Sequence, residues 1–317
     1  MIVEDRTKKR KIDRPFISVI TAVYNEPSGI KTTLESMLAQ DYPSDRYEII
    51  VVDNNSSDNT REVVQEFSRK YPKRVRLLVE KNVQSSYAAR NLGISSSKGE
   101  ILAFIDADMW ADRDWLSVVS TKFEDEDVGY VGCNIRIHAD RGSLVGLYNK
   151  FTGFPVETYM KESHFAGAGC IAVRKSVFDK VGLFDAGLIS SGDREFGERV
   201  WRSGVKQVLV ERFMLHHPAR ESLKSTLKKD FRIGRGNFQL AQRHPERFSN
   251  LRRNFRNIGF FLPPNPIKFF GKKIRANKAL SRNLTLREGT VFYLISVLGK
   301  IAGNLGYFSE YRKWKKQ

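Results

Sequence analysis

The chain has 317 residues, 41% of them hydrophobic, which suffices for one sizeable α/β core and an appended module. Two cysteines without CxxC spacing, Cys133 and Cys170, exclude a disulfide framework, and the charged N-terminus MIVEDRTKKRKIDRP has no apolar run of the kind a secretory signal needs. The net charge of +18 is uneven: residues 220–317 hold 23 Lys/Arg against 5 Asp/Glu, so the front of the chain is neutral and the tail suits a polyanionic partner.

After a solvated arm over residues 1–15, Phe16–Tyr24 is apolar and β-branched, as a buried parallel strand requires. Pro27 and Gly29 break it, and Ile30, Leu34, Met37 and Leu38 give helical spacing over Ile30–Gln40. Tyr47–Val52 reads as a second strand, Thr60–Lys70 as a helix, Val75–Val79 as a third strand, and Ser85–Ile94 as a helix entered through a serine cap. Glu100–Ile105 is a fourth strand. Four such repeats predict a doubly wound, largely parallel sheet. From Trp115 to Tyr159 the pattern predicts a helix, a strand at Gly129–Ile137 and another helix. A glycine-rich turn then leads into a strand within Phe165–Val173, followed by helices at Arg174–Val181 and Arg194–Arg202 and a strand at Gln207–Leu215. The tail from Ser222 is helical in character, with Pro263, Pro264 and Pro266 as a hinge.

Ligands of open α/β sheets bind beyond the carboxyl ends of the strands. Those ends carry Tyr24-Asn25-Glu26, Asp53-Asn54-Asn55 and Asp106-Ala107-Asp108, three polar or acidic clusters on one rim. Asp106 and Asp108 stand two apart at a strand end, so both carboxylates can point the same way, as a hard divalent cation between two phosphates would require.

The stretches ISVITAVYNE, VVDNNSSDNT, AARNLGI and AFIDADM, with GAGCIAVRKSVFDKVGLFDAGLISSGDREFGERVWRSG downstream, resemble in order and spacing the family 2 glycosyltransferases of the GT-A fold over residues 16–220. The resemblance implies a GT-A-like, mostly parallel mixed sheet. A nucleotide-binding half would span 16–110 and an acceptor half 111–220, with a basic, amphipathic helical extension over 221–317. It implies transfer of a sugar from a UDP- or GDP-type donor to an acceptor hydroxyl with inversion, in surface polysaccharide or glycolipid synthesis, using Mn²⁺ or Mg²⁺.

By the same resemblance Ala22, Tyr24, Asn25, Glu26, Asp53, Asn55, Arg90, Asp106, Ala107, Asp108, Gly169 and Arg220 line the donor site. Asp53 would bind the base or ribose, and Tyr24 would offer a stacking face. Arg90 would either contact the nucleotide or pair with Asp106. Asp108 would bind the metal together with His217, or alternatively His216, and Arg220 would touch the diphosphate. The general base falls on Asp193. The family has Glu-Asp here, whereas this chain reads Gly192-Asp193, losing one carboxylate and keeping the base. Glu195, a step around the same helix, is the rival.

The tail interleaves Arg252, Arg253, Arg256 and Lys268 with Phe255, Phe260, Phe261, Phe269 and Phe270, a composition that suits a headgroup interface. Gly289–Phe308 is of spanning length, but Lys300, Asn304 and four glycines weaken it as a span. Three readings stand: a helix on or dipping into a bilayer, a protein-buried helix, or a true span. The enzyme is thus expected on the cytoplasmic face of the membrane, with a carbohydrate or lipid-linked acceptor. Competing classes are a non-catalytic nucleotide-sugar-binding homologue, a nucleic-acid-binding protein and a dehydrogenase. No nucleic acid is expected, since RNP, KH and zinc-finger signatures are missing, and the first strand lacks a G-x-G-x-x-G turn.

Overall fold

The computed structural model describes residues 14–140, 142–253, 262–274 and 284–316. The predicted arm therefore lies almost wholly outside the described residues, as do Phe255, Arg256, Phe260 and Phe261 of the tail.

The first half alternates as the apolar runs dictate: β1 (Ile17–Val23), α1 (Pro27–Leu38), β2 (Tyr47–Asp53), α2 (Thr60–Lys70), β3 (Val75–Val79), α3 (Ser86–Ser96) and β4 (Ile101–Phe104). Every residue of β2 is buried. Each of its large apolar side chains contributes about 2 kcal/mol by leaving water, and a strand buried on both faces has no polar alternation to show. Helix α1 begins earlier than its apolar spacing suggested, because Pro27 fits the first helical turn and Glu26 caps it by accepting from Gly29 N. Ser85 caps α3 as expected.

The second half is less regular. It runs through β5 (Trp110–Ala111), α4 (Trp115–Lys122), β6 (Val128–His138), α5 (Leu144–Thr152), α6 (Val156–Ser163), β7 (Ile171–Arg174), α7 (Lys175–Val181), α8 (Gly192–Arg202) and β8 (Lys206–Pro218). The eight strands lie in the order β3-β2-β1-β4-β7-β6-β8-β5. Pairing is parallel from β3 through β4 and between β6 and β8, and antiparallel at β7 and β5. The sheet is mixed and mostly parallel, as expected. The carboxyl ends of β1, β2 and β4 therefore emerge side by side.

Two elements escape the sequence pattern. Strand β5 is two residues long, too short to carry a period, and a single predicted helix before Tyr159 is in fact two, α5 and α6. Strand β8 also runs past Leu215 to Pro218, so the two histidines expected after the strand lie within it.

Helix α9 (Leu223–Arg243) and the C-terminal helix (Leu286–Trp314) form most of the described tail and pack on each other. Their backbones approach closely at small residues: a Cβ on Gly234 would fall 1.9 Å from the Gly303 carbonyl oxygen, and one on Gly306 would fall 2.0 Å from that of Phe231. The tail is fastened to the sheet module by charge. Arg243 pairs with Asp185 at 2.8 Å, and Arg247 with Glu195 at 2.6 Å and Glu198 at 2.9 Å. The Arg247–Glu195 pair is nearly sealed from solvent, where loss of either partner costs about 3–5 kcal/mol.

Candidate active site

The rim is assembled from strand ends, and each loop is held by its own hydrogen bonds. After β1, Asn25 adopts a left-handed conformation (φ 51°), receives Ser57 N at 2.9 Å on its side chain, and donates its own amide to Ser56 Oγ at 3.0 Å. Glu26 donates its backbone N–H to Thr60 Oγ1 at 2.8 Å. These contacts lock the β1 loop to the β2 loop. Tyr24 is 52% exposed, so its ring is presented to solvent and not packed under the loop. Asn55 is also left-handed (φ 63°) and exposed.

Asp53, expected on the base, is fully buried. Its carboxylate accepts from Arg61 at 2.6 and 2.9 Å and from Ser56 N at 3.1 Å. Arg61 was not singled out in the sequence; its place on the first turn of α2, facing back to the end of β2, is a signal legible only once strand and helix are paired.

The β4 loop lies against the start of α1. A Cβ on Gly29 would meet the Ala107 carbonyl oxygen at 2.7 Å, so only glycine lets helix and loop touch. Asp106 forms an ion pair with Arg90 at 2.5 Å, the pairing that was one of the two readings of Arg90. Gly169 sits against the same carboxylate, where a Cβ would fall 2.2 Å from Asp106 Cγ. In this structure the bareness of Gly169 makes room for Asp106.

Asp193 opens α8 beside this pair. Its Oδ1 accepts from Arg194 N at 2.9 Å, and a Cβ on Gly167 would lie 3.9 Å from its Oδ2. Burial pushes the Asp193 carboxyl above its ordinary value. The Arg194 amide and Arg90 oppose that shift, and Asp106 adds to it. The Gly192 amide donates to Tyr87 Oη at 2.9 Å, anchoring the start of α8 to α3. Glu195, the rival, is buried and held by Arg199 at 2.8 Å and Arg247 at 2.6 Å, and those cations keep it below the usual carboxylate range against the pull of burial.

Within β8 successive side chains face opposite ways, so only one of the two histidines can reach the rim. His217 does: its Nε2 lies 3.4 Å from Asp108 Oδ2, and its Nδ1 is bonded to the Pro218 carbonyl oxygen. The carbonyl oxygen can only accept, so Nδ1 donates in that bond and Nε2 is the ring nitrogen turned toward Asp108. His216 is engaged elsewhere, with Nε2 2.9 Å from Asp112 Oδ1, Nδ1 2.9 Å from His138 Nε2, and its ring stacked on Trp110. The Arg220 guanidinium makes no hydrogen bond or ion pair among the described residues. Burial lowers its pKa, and the nearby Asp108 and Asp106 raise it. A poorly solvated, unpaired arginine beside a carboxylate pair is poised for a multiply charged anion.

No group of three or more His, Cys, Asp or Glu gathers as a metal cage among the described residues. Asp108 and His217 fit a cation that takes its other ligands from substrate phosphates and water, as Mg²⁺ and Mn²⁺ sites on nucleotides do.

Fold and rim together define a GT-A-type α/β enzyme scaffold, with an acidic crevice where the strand order turns. The model of glycosyl transferase family 2 matches residues 18–182, and the chain belongs to that family of glycosyltransferases. It is 36% identical over 227 residues, 71% of its length and 74% of the relative's, to the glycosyltransferase AglE of Haloferax volcanii. It is 26% identical, over 69% of its length and 72% of the relative's, to a dolichyl N-acetyl-alpha-D-glucosaminyl phosphate 3-beta-D-2,3-diacetamido-2,3-dideoxy-beta-D-glucuronosyltransferase of Methanococcus voltae. In structure it is similar to a mannosyltransferase from Pyrobaculum calidifontis determined with GDP-Man and Mn²⁺, with a TM-score of 0.63 and 20% identity over 96% of this chain and 88% of that one.

Proposed function

We propose that the protein transfers a sugar from a nucleoside diphosphate donor to a hydroxyl of a lipid-phosphate-linked or polysaccharide acceptor, inverting the anomeric carbon, at the cytoplasmic face of a membrane. One arrangement carries the chemistry: a half-buried carboxylate, Asp193, stands at the start of α8 beside the Asp106–Arg90 pair, on the side where Asp108 meets His217, and desolvation pushes its pKa up. Asp108 and His217 are the residues to hold a divalent cation, which when bound offsets charge on the diphosphate. Arg220 adds a fixed positive charge on the same side. Asp193 accepts the acceptor hydroxyl's proton as that oxygen attacks, and its desolvation strengthens it as a base at neutral pH. The neighbouring carboxylate, Asp106, is tied up in its ion pair with Arg90, which supports direct displacement with Asp193 as base.

The donor wall is Tyr24 with the β1 and β2 loops. For Asp53 to contact a base or ribose, part of its bonding to Arg61 and Ser56 would be exchanged. An acceptor on a lipid phosphate is supported by the name of the M. voltae relative and by the tail, whose C-terminal helix is long and apolar enough to cross a membrane by length and composition. That helix packs one face on α9, while Leu294, Leu298, Ile301, Leu305 and Phe308 stay exposed on the other. A half-covered helix with basic ends suits lying on a bilayer better than spanning it.

Asp193→Asn tests the base. Transfer is expected to fall about 10²- to 10⁴-fold with donor affinity retained, and undiminished turnover refutes the assignment. The kcat/KM of the parent enzyme is expected to fall toward low pH with a midpoint above that of an ordinary carboxylate, since the base works only when ionised. The folded state favours the neutral carboxyl, so stability from this group declines as pH rises from its unfolded value through its folded one. At neutral pH the asparagine variant is therefore expected to melt no lower than the parent.

A further inference from the structure

The loop that delivers Asp193 to the crevice is seated on the tail. It runs from Asp185 to Ser191, between α7 and α8, and α9 lies along it. Gly236 touches Ser190: a Cβ there would fall 2.6 Å from the Ser190 carbonyl oxygen. Ser191 Oγ donates to Asn237 Oδ1 at 3.2 Å, and the Ile189 amide donates to Gln239 Oε1 at 2.9 Å. Arg243 pairs with Asp185 at 2.8 Å. Gly236, Gln239 and Arg243 recur at intervals of three and four residues, so one stripe of α9 meets both ends of the loop.

Gln239 is itself held at its other end. Its Nε2 donates to Glu310 Oε1 of the C-terminal helix at 2.8 Å, and Glu310 Oε2 accepts from Arg235 Nε at 2.7 Å. An ionised carboxylate can only accept, so the Gln239 amide nitrogen faces Glu310 and its oxygen faces Ile189. The side chain has one orientation, fixed by a charge-assisted bond. The loop it holds does not lie in a relaxed conformation. Ser191 is left-handed at φ 66°, a state that a residue with a side chain keeps only where its surroundings enforce it. The Ser191 carbonyl oxygen accepts from Glu195 N at 3.1 Å and so starts α8, while its hydroxyl is turned to Asn237 and makes no cap bond. Asp193 follows two residues later, after the Gly192 amide that Tyr87 of α3 holds. The start of α8 is thus fixed by α3 through Gly192 and by the tail through Ile189 and Ser191.

We propose that Gln239, with Glu310 behind it, is a positioning residue for the transfer: it holds the loop from which Asp193 projects, so the tail is a working part of the catalytic unit. The proposal rests on Asp193 as the base and names what aims it. The test exchanges donor and acceptor within this relay, in the full chain. Gln239→Leu removes the acceptor of the Ile189 amide, and Gln239→Glu sets two carboxylates against each other. In the double variant Q239E/E310Q the carboxylate at 239 accepts from Ile189 and from the amide at 310, so the relay closes again. Amide hydrogen exchange across residues 185–193 is expected to rise about tenfold or more in both single variants and to return to the parent rate in the double variant. Release of nucleoside diphosphate from UDP-N-acetylglucosamine and from GDP-mannose with Mn²⁺ is expected to follow the same order, with kcat falling about 10- to 10²-fold and donor KM unchanged. Phe238→Leu is the control. It loosens α9 against the Tyr307 ring, and it is expected to lower the melting temperature while leaving kcat and the exchange of residues 185–193 at parent values. Parent exchange in Gln239→Leu, a double variant no better than Gln239→Glu, or an equal loss of kcat in Phe238→Leu overturns the proposal. Asp193→Asn is assayed beside them. Parent turnover there sinks the base assignment, whereas lost turnover there beside parent turnover in Gln239→Leu sinks the positioning role alone.

Discussion

At the scale of single residues, the site is a set of carboxylates whose roles are separated by what touches them. Asp106 is held by Arg90, Asp108 faces His217 Nε2, and Asp193 is half-buried with no ion-pair partner among the described residues. The histidine pair offers a sharp discrimination. His217→Ala is expected to weaken Mn²⁺ binding by about tenfold or more, while His216→Ala, which faces Asp112 and His138, leaves it unchanged; manganese titration of both variants decides, and the reverse order would remove His217 from the metal site. Gly169 yields a second residue-scale expectation. A methyl there would collide with Asp106 at 2.2 Å, and Asp106 must then swing off Arg90. Gly169→Ala is expected to cost about 1–3 kcal/mol of stability and to reduce transfer out of proportion to that loss, since it moves a carboxylate of the crevice. A variant with parent activity and melting temperature would show that the glycine is dispensable.

At the scale of elements, the C-terminal helix has two faces with different tasks. Phe292, Ile295, Gly299, Gly306 and Tyr307 are buried against the rest of the molecule, whereas the exposed stripe recurs every three or four residues along the other side. Leu298→Glu with Leu305→Glu is expected to abolish flotation of the full chain with anionic vesicles and to leave its melting temperature unchanged, because exposed positions carry little folding energy. Retained flotation, with a loss of self-association seen by sedimentation, would assign the stripe to a helix–helix seam, for which its alternating spacing is also suited. Strand β8 shows the same logic in the sheet: a period of two sends His216 to a Trp110–His138 cluster and His217 to the rim.

At the scale of the whole molecule, the basic tail and neutral front named by the charge count are packed together by ion pairs such as Arg247–Glu195 and Arg243–Asp185. The order of β1 through β4, the helices between them, the cap at Ser85, and the acidic strand ends were legible in the chain, because each is a local pattern of apolar period, breaker and polar terminus; the cap at Glu26 was not. The placement of Asp193 at a helix start was legible too. The partners that give those residues their chemistry were not legible. Arg61 on Asp53, Tyr87 under Gly192, Arg247 on Glu195 and Gln239 on Ile189 each depend on how separate elements pack. By itself the sequence determined the elements and the kind of charge each loop brings, since these follow from neighbours along the backbone. How those side chains meet, at what distance and with which cations beside them, was decided by tertiary structure, because strand register and helix packing set the distances across which charge and proton affinity act.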